Sequence, residues 1–244
     1  RKTACFLRGA FVDEPLKKLL TIPPLLKKDQ IALMTPVSEP SVEMTIIVAQ
    51  SRLSLIRLVF GYGIQFETPA GTRVSDFLQQ ALCTDADYIE NRIQTLFMDG
   101  RAVDDPESEE IHNPCTLAVS AAMPGVFGAA FRKQGTYSGL RQHCSQIRQN
   151  QENSVKQGRI VAVTVKCFNQ VAADLGDDLL EAGVVMDLKD FLDFWARQGS
   201  ILEKDNPEVQ INHTKIHAGE VTATLCQKTG TLRIQIHAAN AQGR

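Results

Sequence analysis

The chain of 244 residues lacks most features that mark specialised classes of protein. Its six cysteines are widely spaced and include no Cys-x-x-Cys pair, which argues against a disulfide framework and against a zinc knuckle. Aromatic residues make up only 6%, and no apolar run approaches the roughly 20 residues that a membrane span needs. The formal net charge is −2, so the whole chain has no electrostatic attraction for nucleic acid. We therefore expect a soluble, cytoplasmic protein with reduced thiols and no membrane partner.

What the chain does have is an uneven distribution of charge. Nine acidic residues against two basic ones lie between 85 and 110, whereas six basic residues between 126 and 160 face one acid, Glu152. The basic segment is rich in Gly, Ser, Gln and Asn and lacks apolar periodicity, which is typical of a linker. The sequence thus predicts an N-terminal arm at 1–48, a domain at 49–127, a basic connector at 128–157 and a second domain at 158–244.

The predicted arm contains helix-breaking prolines, with Pro23 and Pro24 adjacent, so it cannot form one continuous helix. The chain opens on Arg1 rather than on methionine. Three explanations are open: the chain is a fragment, it is a processed product, or its reading frame begins at Met34 or Met44.

Residues 51–121 carry the pattern of a small α+β domain. The runs "LSLIRLVF" (53–60) and "IQFETP" (64–69) flank a Gly-containing turn and predict a hairpin. Residues 72–82 have apolar side chains at helical spacing, with Thr72 placed as the N-cap. The strand "IQTLFM", the Asp99-Gly100 turn, "RAV" and the strand "TLAVSA" follow. The predicted order is two strands, a helix, two strands and a final strand.

This order, together with "LFMDGRAVDD" at 96–105, resembles the β-grasp fold of ubiquitin and of the sulfur carriers for molybdopterin and thiamine. The corresponding ubiquitin stretch has an apolar triplet, a small residue, Gly, a basic residue and an apolar-acid-acid ending. The run "TLAVSA" is similar to the family's last strand, and "MPG" falls where its flexible tail begins. The resemblance covers residues 51–125. It implies a ubiquitin-like β-grasp domain with Leu96 and Met98 in the core.

Residues 158–244 predict a second small α+β domain. "GRIVAVTVKCF" alternates as a strand, "QVAADLGDDLLEAG" and "DLKDFLDFWARQG" predict helices, and the runs "KIHAGEVTATLCQ" and "TGTLRIQIHA" predict two closing strands. This half is either a diverged copy of the β-grasp domain or another small α+β unit with a helical insertion.

The resemblance also implies a partner-binding patch. Phe97, Ala118 and Ser120 occupy the exposed positions that ubiquitin-like proteins use, and Arg101 is assigned to the same site. Two of the first three side chains are small, so this patch is weaker than that of ubiquitin. Alternatively, the N-terminal arm or the second domain covers Phe97.

The basic connector supplies a second group of candidate contacts, Arg132, Lys133 and Arg141. Its cations and nearby aromatic residues suit an acidic protein surface or the phosphates of nucleic acid. The acidic domains on either side and the net charge favour a solvated linker or a protein contact over nucleic acid.

The sequence therefore favours a non-enzymatic protein-interaction or adaptor module, with no cofactor and no metal. One alternative is a sulfur-carrier-like accessory protein in cofactor assembly. It would require cleavage after Gly125, because carrier chemistry needs a free terminal glycine carboxylate. A second alternative is a thiol- or metal-dependent enzyme using His143 with Cys144, or His213 with His217. A strand would separate the latter pair by about 13 Å, too far to share one metal ion directly.

Overall fold

A computed structural model of the protein describes residues 40–121, 125–133, 135 and 159–239. The fold of this part is α+β, as predicted. The strands are β1 (Val42–Val48), β2 (Ile64–Pro69), β3 (Thr72–Arg73), β4 (Thr95–Met98), β5 (Arg101–Ala102), β6 (Glu110–Ile111), β7 (Cys115–Ser120), β8 (Ile160–Phe168), β9 (Val184–Asp187), β10 (Glu208–Ile211), β11 (Thr214–Ile216) and β12 (Thr231–Ala238).

The α-helices are α1 (Leu53–Ile56), α2 (Val74–Ala81), α3 (Gly125–Phe131), α4 (Asn169–Ala182), α5 (Leu188–Leu202) and α6 (Val221–Leu225). Short 3-10 segments lie at Gln50–Arg52, Arg57–Gly61, Glu203–Asp205 and Ala218–Glu220, and a π-helical turn lies at Tyr88–Arg92. Among the helices of the described ranges, none combines the length and the apolar character needed to cross a membrane.

Most strands belong to two five-stranded sheets. Sheet A has the order β11-β10-β1-β12-β9, and sheet B has the order β2-β8-β7-β4-β5. One neighbouring pair in each sheet is parallel, β1 with β12 in sheet A and β7 with β8 in sheet B, and the other pairs are antiparallel. The edge strands β9 and β2 lie alongside one another. Strands β3 and β6 form a separate pair.

Each sheet contains strands from both sides of residues 136–158. Strand β1 lies in sheet A between β10 and β12, and β8 lies in sheet B between β2 and β7. The helical segment 50–61 carries the chain from sheet A to sheet B, and α4 carries it back. The predicted bounds of the arm, connector and two domains stay a prediction. The structure adds that the strands before and after the connector share their sheets.

The predicted strand at 53–60 is wrong, because these residues are helical. Leu53, Ile56, Val59 and Phe60 are buried, and their spacing of three or four residues is that of a helix. Strand β8 runs antiparallel beside β2, in the position that the predicted hairpin gave to residues 53–60. The sequence therefore predicted an antiparallel partner for β2 but assigned the wrong segment of chain to it.

Two further local predictions are also wrong. Thr72 does not cap α2, because it lies in β3 and its hydroxyl donates to the carbonyl oxygen of Pro69 at 2.7 Å. The closing strand expected in "KIHAGEVTATLCQ" is instead largely helical, at Ala218–Glu220 and in α6. By contrast, the predicted strands at β2, β4, β7 and β8 and the helix at α2 are confirmed.

The two crossing segments, 50–61 and α4, pack closely against each other at Gly176. A Cβ atom at Gly176 would lie 3.0 Å from Cε2 of Phe60 and 3.1 Å from Cγ of Arg57. Arg57 also donates from Nε to Oδ1 of Asp177 at 2.7 Å. Phe60 is fully buried, so its ring has little room to move away. Glycine at position 176 therefore allows segment 50–61 and α4 to approach this closely, because any larger residue would push Phe60 or Arg57 away.

Replacing Gly176 by Leu should lower the free energy of unfolding by about 2 kcal/mol. This value is typical of adding a larger side chain to a well-packed core. Urea denaturation followed by circular dichroism measures this change. Ala173→Leu places the same side chain at a half-buried position of α4 and should cost less. Equal stability of Gly176→Leu and the unmodified protein would contradict the close packing.

Candidate functional site

Sheet B has one face in the core and one face turned outward. Along each strand alternate side chains point to opposite sides, and directly paired residues share a side. Leu96, Leu117, Val119, Val163 and Val165 are buried on the inner side. The outward side is called here the open face of sheet B. It comprises Gln65, Glu67, Pro69, Thr95, Phe97, Ala102, Thr116, Ala118, Ser120, Ile160, Ala162, Thr164, Lys166 and Phe168.

Phe97 and Ala118 lie opposite each other on this open face, as the sequence predicted for two members of the patch. Phe97 is half-buried because the ring of Phe131 packs on it, with ring centroids 5.3 Å apart. Phe131 is the last residue of α3, so α3 supplies this cover among the described residues. Residues 1–39 of the predicted arm lie outside the described residues. Ala118 is also half-buried.

Ser120 lies on the same face but is only 5% exposed. Its hydroxyl oxygen accepts a hydrogen bond from Nδ2 of Asn169 at 3.1 Å, and Asn169 has a left-handed backbone with φ of 52°. Thr95 lies opposite Ser120 and is also buried, and its hydroxyl has no hydrogen-bond partner among the described residues. Ser120 and Thr95 are therefore hidden from solvent, although Phe168, which is paired with Ser120, is 39% exposed. The use of Ser120 by a partner stays a prediction.

Arg101 is separated from the other predicted residues. It pairs with Met98 across the β4–β5 turn, so it shares the side of Met98 and not that of Phe97. Its guanidinium forms an ion pair with Glu109. The structure thus brings Phe97, Ala118 and Ser120 together and leaves Arg101 on the opposite side of the sheet.

The candidate cations of the predicted connector differ from one another. Arg132 is exposed directly after α3. Lys133 is half-buried, and its Nζ donates to the carbonyl oxygen of Ile89 at 2.7 Å. Burial lowers the pKa of Lys133, and the nearby charge of Glu90 opposes this shift. The Lys133 side chain therefore binds a backbone carbonyl of the π-helical turn and does not extend freely into solvent. Arg141 lies outside the described residues.

Two apolar residues of the open face were missed by sequence reasoning, Ile160 and Phe168. Among the side chains that the structure describes, the exposed large hydrophobic ones are Ile160 at 54%, Leu58 at 51%, Phe168 at 39% and Ile201 at 37%. Two of these four belong to the open face of one strand, β8. The alternation of residues 160–168 already placed both on one side of a strand. What the sequence did not reveal was that this strand lies beside β2 and β7.

The outward side of sheet A has a different character. Thr45, Gln210 and Gln235 form a polar row across β1, β10 and β12, and Glu43 is paired with Arg233. Part of this side is occupied by α4, because Nε2 of Gln235 donates to the carbonyl oxygen of Glu181 at 2.9 Å. The outward side of sheet A is therefore polar where it is described, whereas the open face of sheet B carries exposed large apolar side chains.

A carboxylate with several hydrogen-bond donors lies between the π-helical turn and α4. The carboxylate of Asp174 accepts hydrogen bonds from Tyr88 Oη at 3.1 Å, from Arg92 Nε at 2.6 Å and from Gln170 Nε2 at 2.8 Å. Burial alone would raise the pKa of Asp174, but the hydrogen bonds and the charge of Arg92 outweigh it and lower this pKa. Burial, followed by the charge of Asp174, raises the pKa of Tyr88. The arrangement holds a charged carboxylate and a neutral phenol, so it joins two elements rather than transferring protons.

Three of the four cysteines in the described ranges are poorly suited to nucleophilic chemistry. Burial raises the pKa of Cys167 to about 12, and burial together with the charge of Asp99 raises the pKa of Cys115 to about 11. Burial also raises the pKa of Cys83. Since the thiolate is the reactive form, these shifts reduce reactivity at neutral pH. The predicted pair His143 and Cys144 lies outside the described residues.

His213 and His217, the histidine pair considered in the sequence, lie in different local structures. His213 lies in the β10–β11 turn with φ of 64° and is exposed. His217 caps the 3-10 segment that follows, because its Nδ1 accepts a hydrogen bond from Gly219 N at 3.2 Å. Among the residues that the structure describes, no group of three or more His, Cys, Asp or Glu side chains could hold a metal ion.

Comparison of the chain with protein-family models, with curated proteins and with solved structures found no match. The function of the open face is therefore inferred from its own geometry and chemistry.

Replacing Asp174 by Asn should lower the free energy of unfolding at pH 7 by about 1 kcal/mol, since the half-buried Tyr88 and the exposed Arg92 and Gln170 lose a charged acceptor. Because folding lowers the pKa of Asp174, the carboxylate stabilises the protein above its unfolded pKa of about 3.9 and loses this effect as the pH falls through the folded value. Urea denaturation at pH 7 and near pH 3 should show the difference narrowing in acid. Asp178→Asn on the same helix is the control. A difference that is equal at both pH values would contradict this role.

Thiol labelling of the native protein at pH 7 should separate the cysteines by burial. The exposed Cys226 should react readily with an aromatic disulfide reagent, whereas the buried Cys83 and Cys167 should react only after unfolding. Peptide mapping of the labelled protein identifies the sites. Rapid labelling of Cys167 in the folded protein would contradict the assignment of a buried, protonated thiol.

Proposed function

We propose that the protein is a non-enzymatic interaction module and that the open face of sheet B recognises another protein. The observation that carries this proposal is the placement of Ile160 and Phe168. They lie at opposite ends of β8, about 26 Å apart at ~3.3 Å per residue, and both are substantially exposed. Phe97 and Ala118 lie on the same face beside them.

The chemistry of this face fits a protein surface better than nucleic acid. Its charged side chains are one cation, Lys166, and one anion, Glu67, whereas phosphate binding depends on several cations acting together. Apolar side chains surrounded by Thr and Gln are typical of protein interfaces, which combine an apolar centre with a polar rim. The partner we propose accordingly presents apolar side chains and little net charge to this surface.

We further propose that sheet B is a β-grasp sheet, in keeping with the resemblance of residues 51–125. Support comes from β2, α2, β4, β5 and β7, which follow one another in the order expected. The strand paired with β2 is β8 rather than residues 53–60. The interaction surface would thus be built from both halves of the chain.

The two alternative functions have less support. A sulfur carrier would be cut after Gly125, yet α3 begins at that residue and its Phe131 packs on Phe97. Cleavage there would also place β8 on a different polypeptide from β2 and β7, the strands beside it in sheet B. An enzyme using a thiol would need a cysteine with a low pKa, and burial raises the pKa of Cys83, Cys115 and Cys167.

Site-specific photocrosslinking tests the interaction. With p-benzoylphenylalanine at position 168, the protein in its native cell should form an intermolecular adduct with a protein that mass spectrometry identifies. The same residue at position 45, on the outward side of sheet A, should give none. Purified partner should then bind the unmodified protein, and Phe168→Ser should weaken this binding at least tenfold, about 1.4 kcal/mol.

Gln235→Ser on sheet A is the control and should bind normally. The free energy of unfolding of Phe168→Ser, measured in urea, separates lost contact from lost folding. The proposal would be overturned by adducts only within the same chain, by adducts to nucleic acid, or by equal crosslinking from positions 45 and 168.

A further inference from the structure

The two halves of the chain are built in the same order. The N half is defined as residues 40–135 and the C half as residues 159–239. Each runs from a first strand (β1 or β8) through a helical segment to a second strand (β2 or β9), a helix (α2 or α5), a short hairpin (β4–β5 or β10–β11) and a last strand (β7 or β12). The correspondence extends over every strand of the two large sheets.

Local backbone details recur at corresponding places. A glycine with positive φ precedes each second strand, Gly63 at 116° and Gly183 at 93°. A Cβ atom at Gly63 would meet the side chains of Thr164 and Lys166, and one at Gly183 would meet Arg233. Both glycines therefore let the chain pass closely beside an outward-facing side chain of the neighbouring strand.

The hairpins and helices show the same correspondence. The β4–β5 turn has positive φ at Asp99 and Gly100, and the β10–β11 turn has positive φ at Asn212 and His213. Helix α2 begins with "VSDFL" and α5 with "LKDFL", and the phenylalanine of each is buried. The two helices thus share the sequence Asp-Phe-Leu at the same distance from their first residue.

The parallel pair of each sheet joins the two halves. In sheet B, β7 of the N half pairs with β8 of the C half, and in sheet A, β12 of the C half pairs with β1 of the N half. The order is not identical, because the last strand lies beside the hairpin in sheet B and beside the second strand in sheet A. In both cases, however, the first strand of one half lies inside the sheet of the other.

From this exchange we infer that the protein is an internal dimer, in which each half is the binding partner of the other and neither completes its sheet alone. Without β1, sheet A would separate into β11–β10 and β12–β9. Without β8, β2 would separate from β7, β4 and β5. A chain cut between α3 and β8 should accordingly remain one folded complex of two pieces.

Side-chain contacts between the halves support the same conclusion. Arg52 of the N half pairs with Asp205 of the C half, Arg57 with Asp177, and Arg92 with Asp174. Gly176 of α4 packs against Phe60. Buried residues of both halves belong to one hydrophobic cluster. The interface thus resembles a domain core divided in two, as in obligate complexes.

Cleavage of the full chain tests this inference. A recognition sequence for a specific protease is inserted between Gln149 and Asn150, and circular dichroism first verifies that the uncut protein matches the unmodified one. After cleavage the two pieces should elute together from a sizing column at about 1 μM, and urea should be needed to separate them. Separate elution without denaturant would overturn the inference.

The intact chain offers a second measurement. Trp195, the single tryptophan, lies in α5 of the C half and reports its unfolding. Ile46→Ala in sheet A and Val163→Ala in sheet B should both shift the Trp195 transition to lower urea, because the sheets unfold together. If Val163→Ala leaves the urea concentration of the Trp195 transition unchanged, the two sheets unfold independently, and the inference is overturned. Neither measurement involves an external partner, so its outcome is independent of the proposed interaction.

Discussion

The parallel pairing of β1 with β12 and of β7 with β8 is the constraint on which the rest of the structure depends. Parallel neighbours cannot be joined by a tight turn, so the chain must travel between the strands through other elements. Segment 50–61 and α4 make the two crossings between the sheets and meet at Gly176. The close helix contact, the ion pair of Arg57 with Asp177 and the common core all follow from strands that lie away from their sequence neighbours.

Local patterns predicted much of the secondary structure. The alternation in residues 160–168 identified β8 and its buried side, and the alternation in 115–120 identified β7. Prediction from the sequence pattern fails where one segment fits both a strand and a helix. The run "LSLIRLVF" is rich in residues that favour strands, but its buried side chains follow a helical spacing. Pairing between strands far apart in sequence left no local signal at all.

The same division applies to the candidate site. That Phe97 and Ala118 share one face follows from the two-residue period of strands and from the β4–β7 register. That Phe131 packs on Phe97, and that Lys133 donates to the carbonyl of Ile89, depends on where the chain turns after β7. Ile160 and Phe168 became part of the site only through the insertion of β8 between β2 and β7.

The placement of β1 also affects the order in which the protein can form during its synthesis. The hydroxyl of Ser41, directly before β1, donates to the carbonyl oxygen of Thr231 at 2.7 Å, across 190 positions of sequence. At ~5–20 residues per second, a ribosome needs roughly 10–40 s to add such a length of chain. Throughout that time β1 has no β12 beside it, and its apolar side, Val42, Met44, Ile46 and Val48, has no finished sheet to enter. A nascent chain of this protein therefore carries β1 without its parallel partner until β12 has been synthesised.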